Sequence, residues 1–115
     1  MSYDFMMFKV TGAVRSPLDL AEETTEIIGT GAEIQEELTL LYPEIVWTYE
    51  PRFQSITGML DGPDTWYEFR LSEAPDKCFS ICTSRLTGTR SLVPEICEAL
   101  GLVAFDGQAN VLIGL

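Results

Sequence analysis

The chain has 115 residues, of which 46% are hydrophobic and 10% aromatic, and its 18 acidic and 7 basic residues give a net charge of -11. This length and hydrophobic content predict a single α+β domain over residues 1–115 with its own core, and they argue against a disordered tail. Because the chain has no histidine, catalytic triads with a histidine base, histidine-ligated zinc and haem with a proximal histidine are excluded.

The chain opens with a predicted strand that is followed by an irregular acidic stretch. Residues 3–10 are aromatic and β-prone, which is typical of a strand. Residues 11–30 contain Pro17 and several glycines, and a wholly structureless segment of this length would be unusual in a compact domain. We therefore expect a short helical turn after Ser16-Pro17, or Ile27-Ile28 folded back onto the core.

The first predicted helix follows this stretch and ends before Pro43. Thr30 and Glu33 have the spacing of a capping box, in which the threonine caps the helix and the glutamate bonds back to it. Apolar residues then recur at the spacing of one helix face. They are Ile34, Leu38, Leu41 and Tyr42.

Four short β-type runs come next, separated by turn signals. They span residues 45–50, 55–60, 65–72 and 78–84. The strong turn Asp61-Gly62-Pro63-Asp64 separates the second run from the third, so these two should form a hairpin. Sequential short strands joined by tight turns predict an antiparallel meander, which needs cover on one face only.

A second helix and a closing hairpin complete the chain. Ser91 is the predicted cap of this helix, and Gly101 stands where its C-terminal cap belongs. Residues 102–105 and 110–115 predict the hairpin. The buried side of the helix is predicted to consist of Leu92, Ile96 and Leu100.

These elements define an α+β fold in the order β-α-β-β-β-β-α-β-β. We expect a two-layer sandwich in which both helices pack on one face of the antiparallel meander. Alternation along the central strands assigns one set of side chains to the face toward the helices. This set is Tyr67, Phe69, Leu71, Phe79 and Ile81.

The opposite face of the meander is a candidate binding surface. Trp66, Glu68 and Arg70 point to it together with Ser84, and Arg85 follows in the next loop. Tryptophan and arginine are enriched at binding hot spots. The alternative interpretation is a solvated sheet face with an ion pair of little energetic value. Beside Arg70, the simplest expectation is that Glu68 is ionised, and an ionised carboxylate would be a poor general acid. We therefore assign no catalytic residue.

Acidic residues are concentrated in the first half of the chain, where residues 1–50 carry ten acids against Lys9 and Arg15. Without a cluster of basic residues, binding to nucleic acid or to an anionic membrane is not expected. The negative field would attract a basic protein, or alternatively serve only to keep the chain soluble. The acidic candidates for binding are Glu22, Glu23, Glu26, Glu36 and Glu37.

Three cysteines, Cys78, Cys82 and Cys97, occur in a chain without an apparent export signal or an apolar run of the roughly 18 residues that a membrane span needs. We therefore expect a reducing cytoplasm and free thiols. Three thiols without histidine make a poor zinc site, so no metal is expected. We also expect no cofactor, because phosphate-binding glycine loops and other cofactor motifs are absent.

Three segments carry a resemblance to a known group of proteins. They are Met1-Ser2-Tyr3-Asp4-Phe5-Met6-Met7-Phe8, Trp66 to Leu71, and Leu100 to Gln108. The chain resembles small bacterial proteins of unknown function that open with such a strand. Its outline is also similar, at the level of the fold, to the small acidic immunity proteins that neutralise toxins of competing bacteria. The first resemblance implies no activity, and the second implies a basic toxin as partner.

The sequence thus favours a non-enzymatic module that binds a basic protein. The alternative is a small-molecule-binding or weakly enzymatic site on the sheet face around Glu68 and Arg70. A third hypothesis is a homodimer, because the apolar C-terminal strand at residues 111–115 could pair edge to edge.

Overall fold

A computed structural model describes residues 3–62, 65–84 and 92–115 of the chain. The fold is α+β and mostly sheet, as the sequence predicts, with two helices and an eight-stranded antiparallel sheet in the described part. The helices are α1 (Gly31–Leu41) and α2 (Leu92–Leu100). The strands are β1 (Tyr3–Val10), β2 (Thr25–Glu26), β3 (Val46–Glu50), β4 (Ser55–Asp61), β5 (Trp66–Ser72), β6 (Cys78–Thr83), β7 (Val103–Asp106) and β8 (Val111–Ile113).

The sheet runs in the order β3-β4-β5-β6-β1-β7-β8, so the first strand of the chain lies between the meander and the closing hairpin. The antiparallel meander is confirmed, because each of its strands pairs with the next along the chain. The predicted element order lacked β2, a two-residue strand that pairs with the end of β1. Two residues are too few to produce a periodic pattern, which is why the sequence does not reveal this strand.

The acidic stretch before α1 is held by two short 3-10 turns, Pro17–Asp19 and Glu22–Thr24. A carboxylate oxygen of Asp19 accepts a hydrogen bond from the backbone N–H of Ser16 at 3.1 Å and caps the first turn. Ile28 is partly buried against the core, whereas Ile27 is 56% exposed. The expected helical turn and the return of one isoleucine to the core therefore both occur.

The capping box of α1 is confirmed. The backbone N–H of Glu33 donates to Oγ1 of Thr30 at 3.2 Å, and the N–H of Thr30 donates to Oε1 of Glu33 at 2.9 Å. The pKa of Glu33 is lowered by these bonds, mainly by the one from the backbone of Thr30. Ile34, Leu38 and Tyr42 are buried as predicted, but Leu41 is 36% exposed, because its side chain borders an open cleft that Leu100 also lines.

The end of α2 is a glycine cap, as the sequence predicts. Gly101 has a φ of +68°. The N–H of Leu102 donates to the carbonyl of Cys97 at 2.9 Å, which is the 6→1 hydrogen bond of a Schellman motif. Leu92 and Ile96 are buried and Leu100 is half-buried. The predicted cap Ser91 lies outside the described residues, as do Pro63 and Asp64 of the hairpin turn.

A single cluster of buried side chains unites the sheet with both helices. The predicted inward set, Tyr67, Phe69, Leu71, Phe79 and Ile81, belongs to it, so the alternation is confirmed. We call the side of the sheet that carries these residues the core face, and the opposite side the outer face. From the helices, the cluster includes Ile34 and Leu38 of α1 and Leu92, Val93, Ile96 and Cys97 of α2.

Candidate functional site

The outer face carries the polar pair that the sequence singles out. Glu68 lies opposite Cys82 in the neighbouring strand, and Arg70 lies opposite Ser80. The Arg70 guanidinium donates to the Glu68 carboxylate, and this bond raises the pKa of Arg70. The Arg70 side chain is 60% exposed and that of Glu68 is 22% exposed, so the pair is open to solvent on the arginine side. Trp66, on the same strand face, is half-buried.

A third charged residue, Asp4 of β1, lies on the same face as this pair. The sequence pattern did not predict its position there. Asp4 lies opposite Cys82 in the register of β1 and β6, and the Cys82 thiol donates to Oδ1 of Asp4 at 2.6 Å. Burial, followed by this hydrogen bond, raises the pKa of Cys82 to about 11. The thiol therefore stays protonated near neutral pH and would be a weak nucleophile.

Ser84 lies just after β6 in a small group of hydroxyls. Its Oγ is 2.5 Å from Oγ1 of Thr65, which is in turn 3.0 Å from Oγ1 of Thr83. These bonds join the end of β6 to the start of β5 and give Ser84 a structural role. The other predicted residue of this region, Arg85, lies outside the described residues.

The predicted acidic residues occupy three elements. Glu22 and Glu23 lie in the second 3-10 turn, Glu26 in β2, and Glu36 and Glu37 on α1. All five are exposed. Glu22 accepts a hydrogen bond from Nζ of Lys77 at 3.1 Å, whereas no ion pair within the described part of the chain involves the other four.

A cleft that sequence reasoning did not predict lies between α1 and the edge of the sheet. It has a volume of about 310 Å³ and opens to solvent. Two aromatic rings and a carboxylate give it its character, while the first half of α1 forms the opposite wall. Its lining includes Ala32, Gln35, Trp47, Tyr49, Ile56 and Glu73.

Hydrogen bonds at both ends hold the aromatic side of the cleft. Nε1 of Trp47 donates to Oγ1 of Thr39 on α1 at 3.0 Å. The hydroxyl of Tyr49 donates to Oε2 of Glu73 at 2.8 Å, and this bond is the main cause of the raised pKa of Tyr49. The two rings are therefore fixed by the helix and by the segment after β5.

Gly58 makes room for one of these rings. A Cβ atom at this position would stand 2.5 Å from Cζ3 of Trp47 and 2.8 Å from Cγ2 of Ile45. Trp47 lies directly opposite Gly58 in the register of β3 and β4, and its ring centroid is 6.3 Å from that of Phe69. The glycine therefore lets the indole pack closely against β4 and form part of the cleft.

The described residues were compared with two further requirements, those of a metal site and of a membrane-spanning helix. No group of three or more cysteine, aspartate and glutamate side chains in residues 3–62, 65–84 and 92–115 has the arrangement to hold a metal ion. In that same part of the chain, no helix has the length and apolar character needed to cross a bilayer.

Comparison of the chain with protein-family models, with curated proteins and with solved structures finds no match. The resemblance to small bacterial proteins and to immunity proteins therefore stays a prediction from the sequence.

Proposed function

We propose that the protein is a non-enzymatic, acidic protein-binding module whose partner is a basic protein. The observation that carries this proposal is the excess of exposed carboxylates. The 7 basic side chains can neutralise only part of the 18 acidic ones, and Glu23, Glu26, Glu36 and Glu37 are exposed without an ion pair among the described residues. Neutralisation of a basic toxin would be the immunity-like form of this function.

The architecture that we propose for the chain is a two-layer sandwich, in which the helices lie side by side on the core face of the sheet. A hydrogen bond between the two helical segments and a cleft that both helices line support it. The hydroxyl of Tyr42, at the end of α1, donates to Oε1 of Glu95 on α2 at 2.5 Å. A cleft of about 220 Å³ is also lined by Leu40 and Leu41 of α1 and by Leu100 of α2. Such a scaffold would hold the carboxylates of α1 in fixed positions for a partner.

We place this function in the cytoplasm of a bacterium. All three cysteines are free thiols, which fits a reducing compartment. The resemblance of the sequence to small bacterial proteins supports a bacterial source.

Charge neutralisation at two separate sets of residues tests the proposal. The first variant carries Glu23→Gln, Glu36→Gln and Glu37→Gln. The matched control carries Glu44→Gln, Asp61→Asn and Glu98→Gln, which are also exposed and which remove the same amount of charge. We expect the first variant to lose a basic partner that the control still captures. Equal capture by wild type and both variants would contradict the acidic-surface proposal.

A second candidate function is a small-molecule site on the outer face. The cluster of Asp4, Glu68, Arg70 and Cys82 favours it, because these four polar groups lie on three adjacent strands. A metabolite screen by thermal shift, with Arg70→Gln as the control variant, tests this candidate. A ligand that stabilises wild type but not the variant would support it, and the absence of any stabilising ligand would count against it.

A further inference from the structure

One edge of β3 is free to pair with another strand. This strand lies at one end of the sheet and, among the described strands, pairs only with β4. Its sequence Val-Trp-Thr-Tyr-Glu lacks the lysine or proline that commonly protects an edge strand from pairing with another chain. Val46 is 67% exposed and Tyr49 is 50% exposed. The edge is therefore open to an additional strand, whereas the opposite edge, β8, has only three residues.

The second observation concerns the chemistry of the cleft beside this edge. The rings of Trp47 and Tyr49 can attract an ammonium or guanidinium group, and the Glu73 carboxylate can pair with it. Tyr49 bonds to Oε2 of Glu73, so the second oxygen of this exposed carboxylate can accept a bond from a cation. Glu36, one helical turn after Ala32, adds negative charge on the same side of α1. The cleft is thus suited to a cationic group.

We propose that β3 binds an extended segment of a partner protein as an additional strand, and that a lysine or arginine side chain of this segment enters the cleft beside Trp47, Tyr49 and Glu73. The proposal rests on the proposed function and names the site where the basic partner is held. Neighbouring strands lie about 4.8 Å apart and alternate side chains share a face, so every second residue of the added strand would face the cleft.

The length of a basic side chain fits this arrangement. Lysine and arginine carry a long apolar stem that can lie along an aromatic ring while the charged end reaches a polar group. The stem would cover Trp47, and the charge would meet Glu73. A second copy of this chain is a poorer occupant, because residues 46–50 contain no basic residue and each copy has a net charge of -11.

A synthetic heptapeptide that alternates lysine with valine and threonine is the probe, capped at both ends. Binding is followed by the fluorescence of Trp47 in a Trp66→Phe variant, in which no other tryptophan remains. We expect a saturable change, at least about tenfold weaker binding when glutamine replaces each lysine of the peptide, and slower hydrogen exchange of the amides in β3 on binding.

Two matched variants locate the site. Glu73→Gln should weaken binding of the peptide by about tenfold or more, since it removes the carboxylate of the cleft. Glu44→Gln, which removes the same charge from an exposed residue before β3, should change the affinity by less than about twofold. Both residues are exposed, so both variants should fold.

Four results would overturn the proposal. They are the absence of saturable binding up to about 1 mM peptide, equal binding of the capped single residue N-acetyl-lysine amide, equal losses in the two variants, and a dimer of the chain formed through β3. If any of these occurred while the Glu23, Glu36 and Glu37 variant still lost its basic partner, the proposed function would stand and only its location at β3 would be wrong.

Discussion

At the scale of single residues, the cap of α1 has the most direct energetic consequence. Thr30→Ala removes the acceptor for the N–H of Glu33 and should lower the free energy of unfolding by about 1 kcal/mol. Denaturant titration followed by circular dichroism measures this change. Glu36→Gln is the control, because Glu36 is exposed on the same helix, and it should alter stability by less than about 0.5 kcal/mol.

The same cap should make the stability of the folded chain depend on pH. The pKa of Glu33 is lower in the folded chain than its ordinary value of 4.5, so its stabilising effect is present above that value and is lost as the pH falls through the folded pKa. Glu33→Gln should therefore be less stable than wild type at neutral pH and should approach wild type under acid conditions. A difference in stability that stays constant between pH 7 and acid conditions would contradict this assignment.

Two buried thiols should make the chain less stable as the pH rises, whereas the cap of α1 makes it less stable as the pH falls. Burial is the main cause that raises the pKa of Cys82 and of Cys97 from 9.0 to about 11. Because unfolding releases these thiols to ionise at lower pH, the free energy of unfolding should fall as the pH rises from 9 toward 11. A Cys82→Ala, Cys97→Ala variant should show a smaller fall. An equal fall in both chains would assign the effect to other groups.

At the scale of elements, the packing of β3 on β4 depends on Gly58. Gly58→Ala places a Cβ atom 2.5 Å from the Trp47 ring and should destabilise the chain by about 1–3 kcal/mol. Tryptophan fluorescence during denaturant unfolding measures the loss. Gly12→Ala is the matched control, since a Cβ atom there meets nothing within 4 Å, and this variant should be nearly as stable as wild type. Equal stabilities of the two variants would contradict the described packing.

The structural features that depend on neighbouring residues could be predicted from the sequence. The capping box at Thr30, the glycine cap at Gly101 and the alternation along β5 each depend on residues close together in the chain, and all three are confirmed. The position of β1 between β6 and β7 depends on pairing between distant segments, which periodicity does not specify.

The candidate sites divide in the same way. Alternation placed Glu68 and Arg70 on one face, whereas Asp4 reaches that face through a partner 78 residues away. The cleft at β3 was missed because Tyr49 and Glu73 are 24 residues apart and meet only when β3, β4 and β5 pair in register. Two aromatic residues in alternate positions of one β-type run, Trp47 and Tyr49, were the available signal.

At the scale of the whole molecule, the net charge of -11 should make stability depend on salt. Repulsion among like charges destabilises a compact chain, and salt screens it. Raising sodium chloride from about 10 to 150 mM should stabilise wild type by about 1 kcal/mol and raise the midpoint of thermal unfolding by about 4 °C. The Glu23, Glu36 and Glu37 variant should gain less. A midpoint that stays constant or falls with added salt would contradict this expectation.

Affinity capture with stepwise salt washes tests whether the acidic surface binds a basic protein, as we propose. The immobilised wild-type chain is exposed to lysate of the source organism, washed at low and then at high salt, and the eluted proteins are identified by mass spectrometry. We predict a basic protein that is retained at low salt and released at high salt, because exposed charge contacts are screened. If no basic protein is retained at low salt, or if the retained protein is neutral or acidic and resists high salt, the claim is contradicted.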